Sequence, residues 1–259
     1  QRWMHVILEV IRGETGPLSG GIKDTSWEKG ATIRQRARHR RLLSNLFTRS
    51  PEIFRHRVNI WRARKSWKTA GVLFIHVPKV AGFSLSRSLY GHVYGHMTAL
   101  EVEANAADLF AELPVFAVVR NPWDRVVSAY HFAIAGGVGA MRVAQPAQYR
   151  QPAFRTFDAF LEEWLPAQNL VKCDYIFQPQ YRFVCRPTGE LAVDFLGRME
   201  DMQSTYDFLA EITGRNLEVK RENTSNREAD YRGYYTHPRL KNLVADAYAE
   251  DVRLFGYDF

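Results

Sequence analysis

Three sets of side chains in this sequence have the types and spacing to handle an anionic substrate. The first is the turn Lys79-Val80-Ala81-Gly82-Phe83-Ser84, with one lysine, one glycine, small residues and a hydroxyl. A lysine in a short, small-residue turn that opens a helix puts an ammonium and several backbone N–H groups around one anion, which is a phosphate cradle. An ordinary βα turn with a solvated lysine is the competing account. The second set, Arg120-Asn121-Pro122-Trp123-Asp124-Arg125-Val126-Val127-Ser128, repeats the layout, with a guanidinium fork at a strand end and a hydroxyl eight residues on. The third is a pair of histidines between them, His92 and His96, whose side-chain type takes up a proton near neutral pH. A loop histidine on the surface is the plainer account of each.

The elements that carry these groups are legible from pattern. Residues 72–77 form a short apolar run rich in β-branched and aromatic side chains, as a fully buried strand does. Pro78 stops it, since proline has no N–H for a ladder. A helix is expected from Ser84 to Tyr90. Residues 113–119 form a second buried strand ending on Arg120, after which Asn121 and Pro122 supply the N-cap and first position of a helix. Residues 100–112 are Ala-rich and helical, a suitable crossover between parallel strands. Parallel neighbours joined in this way bring both anion-binding sets to one edge of the sheet.

These paired motifs resemble the sulfotransferases, in particular the carbohydrate-type branch. The resemblance runs from about residue 71 to the end of the chain. It takes in Gln180, the run Val193-Asp194-Phe195-Leu196-Gly197-Arg198-Met199-Glu200, Asn223, Ser225, Tyr248-Ala249-Glu250-Asp251 and Phe255-Gly256-Tyr257. It implies an α/β fold with a central, mostly parallel sheet flanked by helices, of P-loop-like type. It also implies 3′-phosphoadenosine 5′-phosphosulfate (PAPS) as sulfuryl donor, with no metal required. Lys79, Val80, Ala81, Gly82, Phe83 and Ser84 would then hold the 5′-phosphosulfate, and Lys79 would steady the leaving oxygen. Arg120 and Ser128 would hold the 3′-phosphate, with Arg221 reaching it from a loop that closes over the nucleotide. Val80 and Phe83 stand where the family carries hydroxyl residues, so two side-chain donors are missing. His96 is the expected general base, with His92 as the second choice. The acceptor implied is a hydroxyl of a carbohydrate or glycolipid. Glu200 is expected to brace the fold, Trp123 to sit in the core, and Arg125 to face solvent or an ion pair. His76 is expected to be a satisfied buried histidine.

Two other accounts are compatible with the residues. One is a P-loop kinase, although its turn ends in Gly-Lys-Ser/Thr whereas this lysine comes first, and Asp194 is the one arguable magnesium carboxylate. The other is a degenerate transferase kept as a binding module.

The chain of 259 residues carries a net charge of +7, and residues 34–68 alone hold twelve Lys/Arg against Glu52. The body of the protein is therefore mildly acidic, and residues 1–70 are expected to form a basic helical extension ahead of an α/β domain at 71–259. Within the extension, residues 31–48 and a helix capped by Ser50-Pro51-Glu52 have apolar faces, the second with Ile53, Phe54, Val58 and Trp61. Two helices packed inward on the sheet with a solvated basic face are the favoured account; the sharper one is an anionic membrane surface or polyanion, and no nucleic-acid motif accompanies the charge. No run of about 18 apolar residues exists. Cys173 and Cys185 match no zinc spacing; they could pair or stay free, and free is the default in a reducing compartment. The expected location is cytoplasmic, with a peripheral membrane contact. Residues 133–156 read as a long loop fit to be a lid or acceptor element, residues 157–165 as a helix, and residues 178–185 as an extended segment that leads through a Pro/Gly turn into a strand at 191–196.

Overall fold

The computed structural model describes residues 50–139, 141–215 and 230–259. The expected helix at 31–48, and Lys220, Arg221, Asn223 and Ser225, lie outside these. The chain divides at Ser66/Trp67, the second unit running from Trp67 to Phe259.

A parallel three-stranded sheet forms the centre: β1 (Leu73–Ile75), β2 (Val115–Val119) and β5 (Phe195–Arg198), in the order β1-β2-β5. Leu73 pairs with Val115 and Ile75 with Ala117, while Phe116 pairs with Phe195 and Val119 with Arg198. Every residue of β1 and β2 is buried, as strands covered on both faces require. Between β1 and β2 the chain runs through α2 (Gly82–Tyr90), α3 (Ala99–Asn105) and α4 (Ala107–Glu112). The expected single crossover helix is thus two, broken at Ala106 with φ −149°. Thr98 and Glu101 start α3 with a reciprocal capping box.

After β2 comes α5 (Pro122–Ile134), capped as expected by Asn121, whose side-chain oxygen accepts from the Trp123 N–H at 3.0 Å. A two-residue hairpin follows, β3 (Gly137–Val138) with β4 (Met141–Arg142). The stretch expected to be a lid or acceptor element is mostly exposed but pinned at a few buried positions. Tyr149, Ala153 and Phe154 are buried. Tyr149, Phe154, Phe160, Trp164 and Phe177 stack into one aromatic cluster, which Tyr130 of α5 joins through Phe154 and Phe160. The helical segment expected near Phe157 opens as α6 (Phe157–Ala159) and continues as a π-helical turn, Phe160–Trp164.

Residues 178–185, expected to be extended, instead close into a helical turn, α7 (Tyr181–Val184). Asp251 accepts from the N–H groups of Gln180 and Tyr181, both at 2.8 Å, and so acts as its N-terminal cap. Then follow α8 (Met202–Thr213), ended by left-handed Gly214, and α9 (Pro238–Ala247) and α10 (Ala249–Phe255), separated at Tyr248. In α1 (Glu52–Ala70), Ile53 and Trp61 are 65% and 48% exposed, so the expected apolar face is wrong at both positions. Val58 of that face is buried as expected, along with His56, Ile60, Ala63, Trp67 and Ala70. Among the described residues no helix is long and apolar enough to cross a membrane.

Gly82 illustrates how tightly the sheet edge is packed. A Cβ there would lie 2.2 Å from Cδ2 and 2.5 Å from Nε2 of His76. Space, rather than a positive φ, demands the glycine, because Gly82 is not among the glycines with positive φ. Gly82→Ala is expected to lower unfolding stability by about 1–3 kcal/mol, measured by urea titration. The same change in a His76→Ala background is expected to cost much less.

Candidate functional site at the sheet edge

The two anion-type motifs meet directly. β1 and β2 are parallel neighbours, so the turn after β1 and the N-terminus of α5 emerge at the same edge. There Nη1 of Arg120 donates to the main-chain oxygen of Lys79 at 3.0 Å. The Arg120 fork is fixed from its other side by Asp124, one helical turn on, at 2.8 Å from Nε and 2.6 Å from Nη2. Arg120 and Ser128 are both buried, as is Ser84 in the first turn of α2.

The turn itself is strained. Pro78 occupies the first corner and Lys79 the second, with φ 71°, the positive value that a type II turn asks of its third residue. Ala81 follows in the left-handed region at φ 60°, ψ 13°, and is the N-cap of α2, with no side-chain cap bond. Among the described residues no main-chain oxygen accepts from the N–H of Ala81, Gly82 or Phe83. An exposed Ala81 at the helix mouth, uncapped helix N–H groups and a neighbouring lysine fit an anionic phosphate or sulfate ester. The Val80 side chain is fully buried, so that residue has only its main chain to offer. The Lys79 ammonium lies 4.0 Å from the ring centroid of Phe132 on α5, a cation–π contact that holds it beside the turn.

His96 and His92 separate clearly. His92 is exposed and packs edge-on to Tyr94 at 5.0 Å. His96 is half-buried, its ring 4.3 Å from that of His76, and its Nδ1 is 2.9 Å from the His76 main-chain oxygen. A carbonyl oxygen only accepts, so Nδ1 carries the proton and Nε2 of the neutral ring is the basic nitrogen. Tyr175 faces the same ring at 6.1 Å.

Several partners had no role, or another role, in the sequence reading. Arg125 is 1% exposed and faces neither solvent nor an ion pair; it donates to the Pro78 oxygen at 3.0 Å and the Gln178 oxygen at 2.7 Å. Its place on the inner face of α5, between buried Trp123 and Val126, was the available signal. Burial lowers its pKa, opposed by Tyr248 and Asp251. Gln180 reads the backbone of Arg120 from both sides, accepting from its N–H at 2.9 Å and donating to its oxygen at 2.8 Å. Glu200 braces the fold as expected, accepting from the Asn121 N–H at 2.7 Å and the Tyr257 hydroxyl at 3.0 Å. Asp194 lies at the opposite edge of the sheet, accepting from the N–H of Val115 at the start of β2 at 2.8 Å, and is no magnesium ligand for this turn. His76 lies just past β1, buried, but its Nδ1 has no hydrogen-bond partner, contrary to the satisfied histidine expected. Both cysteines are free.

The His76 ring makes the edge pH-sensitive. Burial, and then His96 beside it, hold its pKa well below 6.5. The unfolded chain binds that proton first, so stability falls as pH drops below about 6.5, by at most about 1.4 kcal/mol per pH unit for one proton. Asp251 acts in the opposite sense. Burial raises it to about 6, the folded state takes its proton first, and its contribution grows as pH falls from there toward 3.8. His76→Phe is therefore expected to flatten the loss of stability between pH 7 and 5 in urea titrations. Parallel curves for the native and substituted proteins would rule His76 out as the source.

A family model described as "Sulfotransferase family" matches residues 67–258. No curated protein matches the chain, and no solved structure does.

Proposed function

The chain belongs to the sulfotransferase family, PAPS-dependent transferases, and from that premise we propose that it transfers the sulfuryl group to a hydroxyl of a carbohydrate or glycolipid, at the edge where Lys79, His96 and Arg120 emerge. The observation that carries this assignment is the hydrogen bond from Arg120 to the Lys79 oxygen, which ties the two anion-type motifs into one site.

When bound, the donor supplies an activated sulfuryl group on a phosphosulfate anhydride. The protein's tasks are to hold two phosphates, to steady charge on the leaving oxygen and to accept a proton. The N–H groups of Ala81, Gly82 and Phe83 and the Ser84 hydroxyl take the 5′-phosphosulfate, with the main chain of Val80 completing the turn. Lys79, a compact cation beside this turn, balances charge that grows on the bridging oxygen. Arg120 and Ser128 take the 3′-phosphate, Asp124 keeping the guanidinium fork in plane. Arg221, outside the described residues, is assigned to the same phosphate by family resemblance. His96, with Nδ1 committed to the His76 oxygen, offers Nε2 to the acceptor hydroxyl.

This reading is tested first by thermal shift. 3′-Phosphoadenosine 5′-phosphate at about 100 times its Kd is expected to add about 2.7 kcal/mol, and ATP with magnesium much less. Equal shifts would remove the site assignment. With labelled PAPS and a panel of carbohydrate and glycolipid hydroxyls, His96→Ala is expected to lose turnover by about 100-fold or more while keeping the nucleotide shift. Normal turnover would remove His96.

The boundary near residue 70 and the basic segment enter the same proposal. On α1, Ile53, Arg57, Trp61, Lys65 and Lys68 share one exposed stripe at helical spacing, the pattern of a helix lying on an anionic lipid surface. The protein is expected to sediment with phosphatidylserine vesicles more than with phosphatidylcholine ones, and the double variant Arg57→Gln/Trp61→Ala to lose most of that difference. Sedimentation of native protein equal with both lipids would refute the membrane contact.

A further inference from the structure

The proposed site leaves Arg125 without a chemical role, yet few residues in the chain are placed at greater cost. Removing a guanidinium from water costs several kcal/mol, and an apolar side chain of similar volume would fill the same space more cheaply. Arg125 nonetheless sits at 1% exposure and donates to two main-chain oxygens. Those oxygens belong to segments far apart in sequence. Pro78 opens the strained turn that carries Lys79. Gln178 closes the stretch after Cys173 that carries Tyr175, the ring facing His96 at 6.1 Å.

The planar fork suits this task. Nε reaches Pro78 at 3.0 Å while Nη2 reaches Gln178 at 2.7 Å, so one rigid group sets the separation of the two segments. The far segment is itself held from behind, through the Tyr248 hydroxyl on the Phe177 oxygen and Asp251 on the N–H groups of Gln180 and Tyr181. Movement of the turn is therefore transmitted to the His96 side, and the reverse.

Resting on the site assigned above, we propose that Arg125 is a positioning residue that couples the phosphate-binding turn to the acceptor side, fixing the distance between the Lys79 turn and the Tyr175–Gln178 segment. It touches no reacting atom. Its effect falls on alignment, where a displacement of about 1 Å costs about 100-fold in rate.

The test uses the full chain, 3′-phosphoadenosine 5′-phosphate as probe, and hydrogen exchange read by mass spectrometry, with Arg125→Lys and Arg125→Gln as variants. Each replacement side chain spans only one of the two oxygens. In the native protein the nucleotide is expected to slow exchange in peptides covering 79–84 and also in those covering 174–180. In the variants, protection of 79–84 is expected to persist while that of 174–180 disappears. Turnover with an acceptor from the hydroxyl panel is expected to fall by about 10–100-fold, with KM for PAPS changed by only a few fold. Protection of both segments with native turnover in the variants would overturn the proposal. So would loss of nucleotide binding along with turnover, or failure of both variants to fold, since Arg125 would then be structural alone. A native protein in which the nucleotide protects nothing at 79–84 would instead overturn the site assignment itself.

Discussion

The sheet edge depends on two guanidinium groups that grip successive carbonyls of one turn. Arg125 holds the oxygen of Pro78 and Arg120 that of Lys79. With those oxygens drawn toward α5, the peptide units of the turn are committed in orientation, and the N–H groups that follow are left at the helix mouth. The conformation needed is one the residues do not prefer, since Lys79 and Ala81 are both left-handed without being glycine. Each such residue costs about 1–2 kcal/mol. A hydrogen bond from a charged donor is worth about 1.5–3 kcal/mol, so the two bonds are of the size needed to hold the two strained residues.

Those arginines are in turn fixed by residues remote in sequence. Gln180 pairs with the backbone of Arg120 as a neighbouring strand would, where β2 has ended and no ladder partner remains. Glu200, two residues past β5, takes the next N–H, that of Asn121, and is itself held by Tyr257. Asn121 also donates to the oxygen of Asp258 at 2.7 Å. The segments around 180, 200 and 258 therefore converge on a single dipeptide, Arg120-Asn121. Their scattered matches to the family pattern thus have one physical origin: buried main-chain groups beyond a strand end need partners, and here side chains supply them.

The strands, the cap on α5 and the turn after β1 were legible because each rests on local rules: a β-branched run, an Asn-Pro start, a proline before a lysine. Arg125 was misread because an arginine one turn into a helix is most often solvated, and only tertiary placement shows its donors facing two carbonyls. Residues 178–185 were misread as extended because the cap that makes them helical, Asp251, lies some 70 residues away. Ile53 and Trp61 were assigned inward on spacing alone, which locates a stripe on a helix without saying which stripe is covered. Gly82 carries a second constraint that local pattern does not show. A side chain there would meet the buried His76 ring, which is remote enough in the chain that no turn rule reveals it.

That last contact joins the two halves of the proposed chemistry. The His76 ring lies against Gly82, at the start of α2, and 4.3 Å from the ring of His96, whose Nδ1 its own carbonyl receives. One buried residue thus touches the helix that opens the anion site and orients the proposed base. Its neutrality matters to both, because a charged imidazole at this point would bury a charge with no partner between the helix mouth and the His96 ring. Burial keeps His76 uncharged and spares the site that conflict. The orphaned Nδ1 is the residue of this compromise: a polar atom left without a partner in a ring retained where Gly82 leaves just enough room for it.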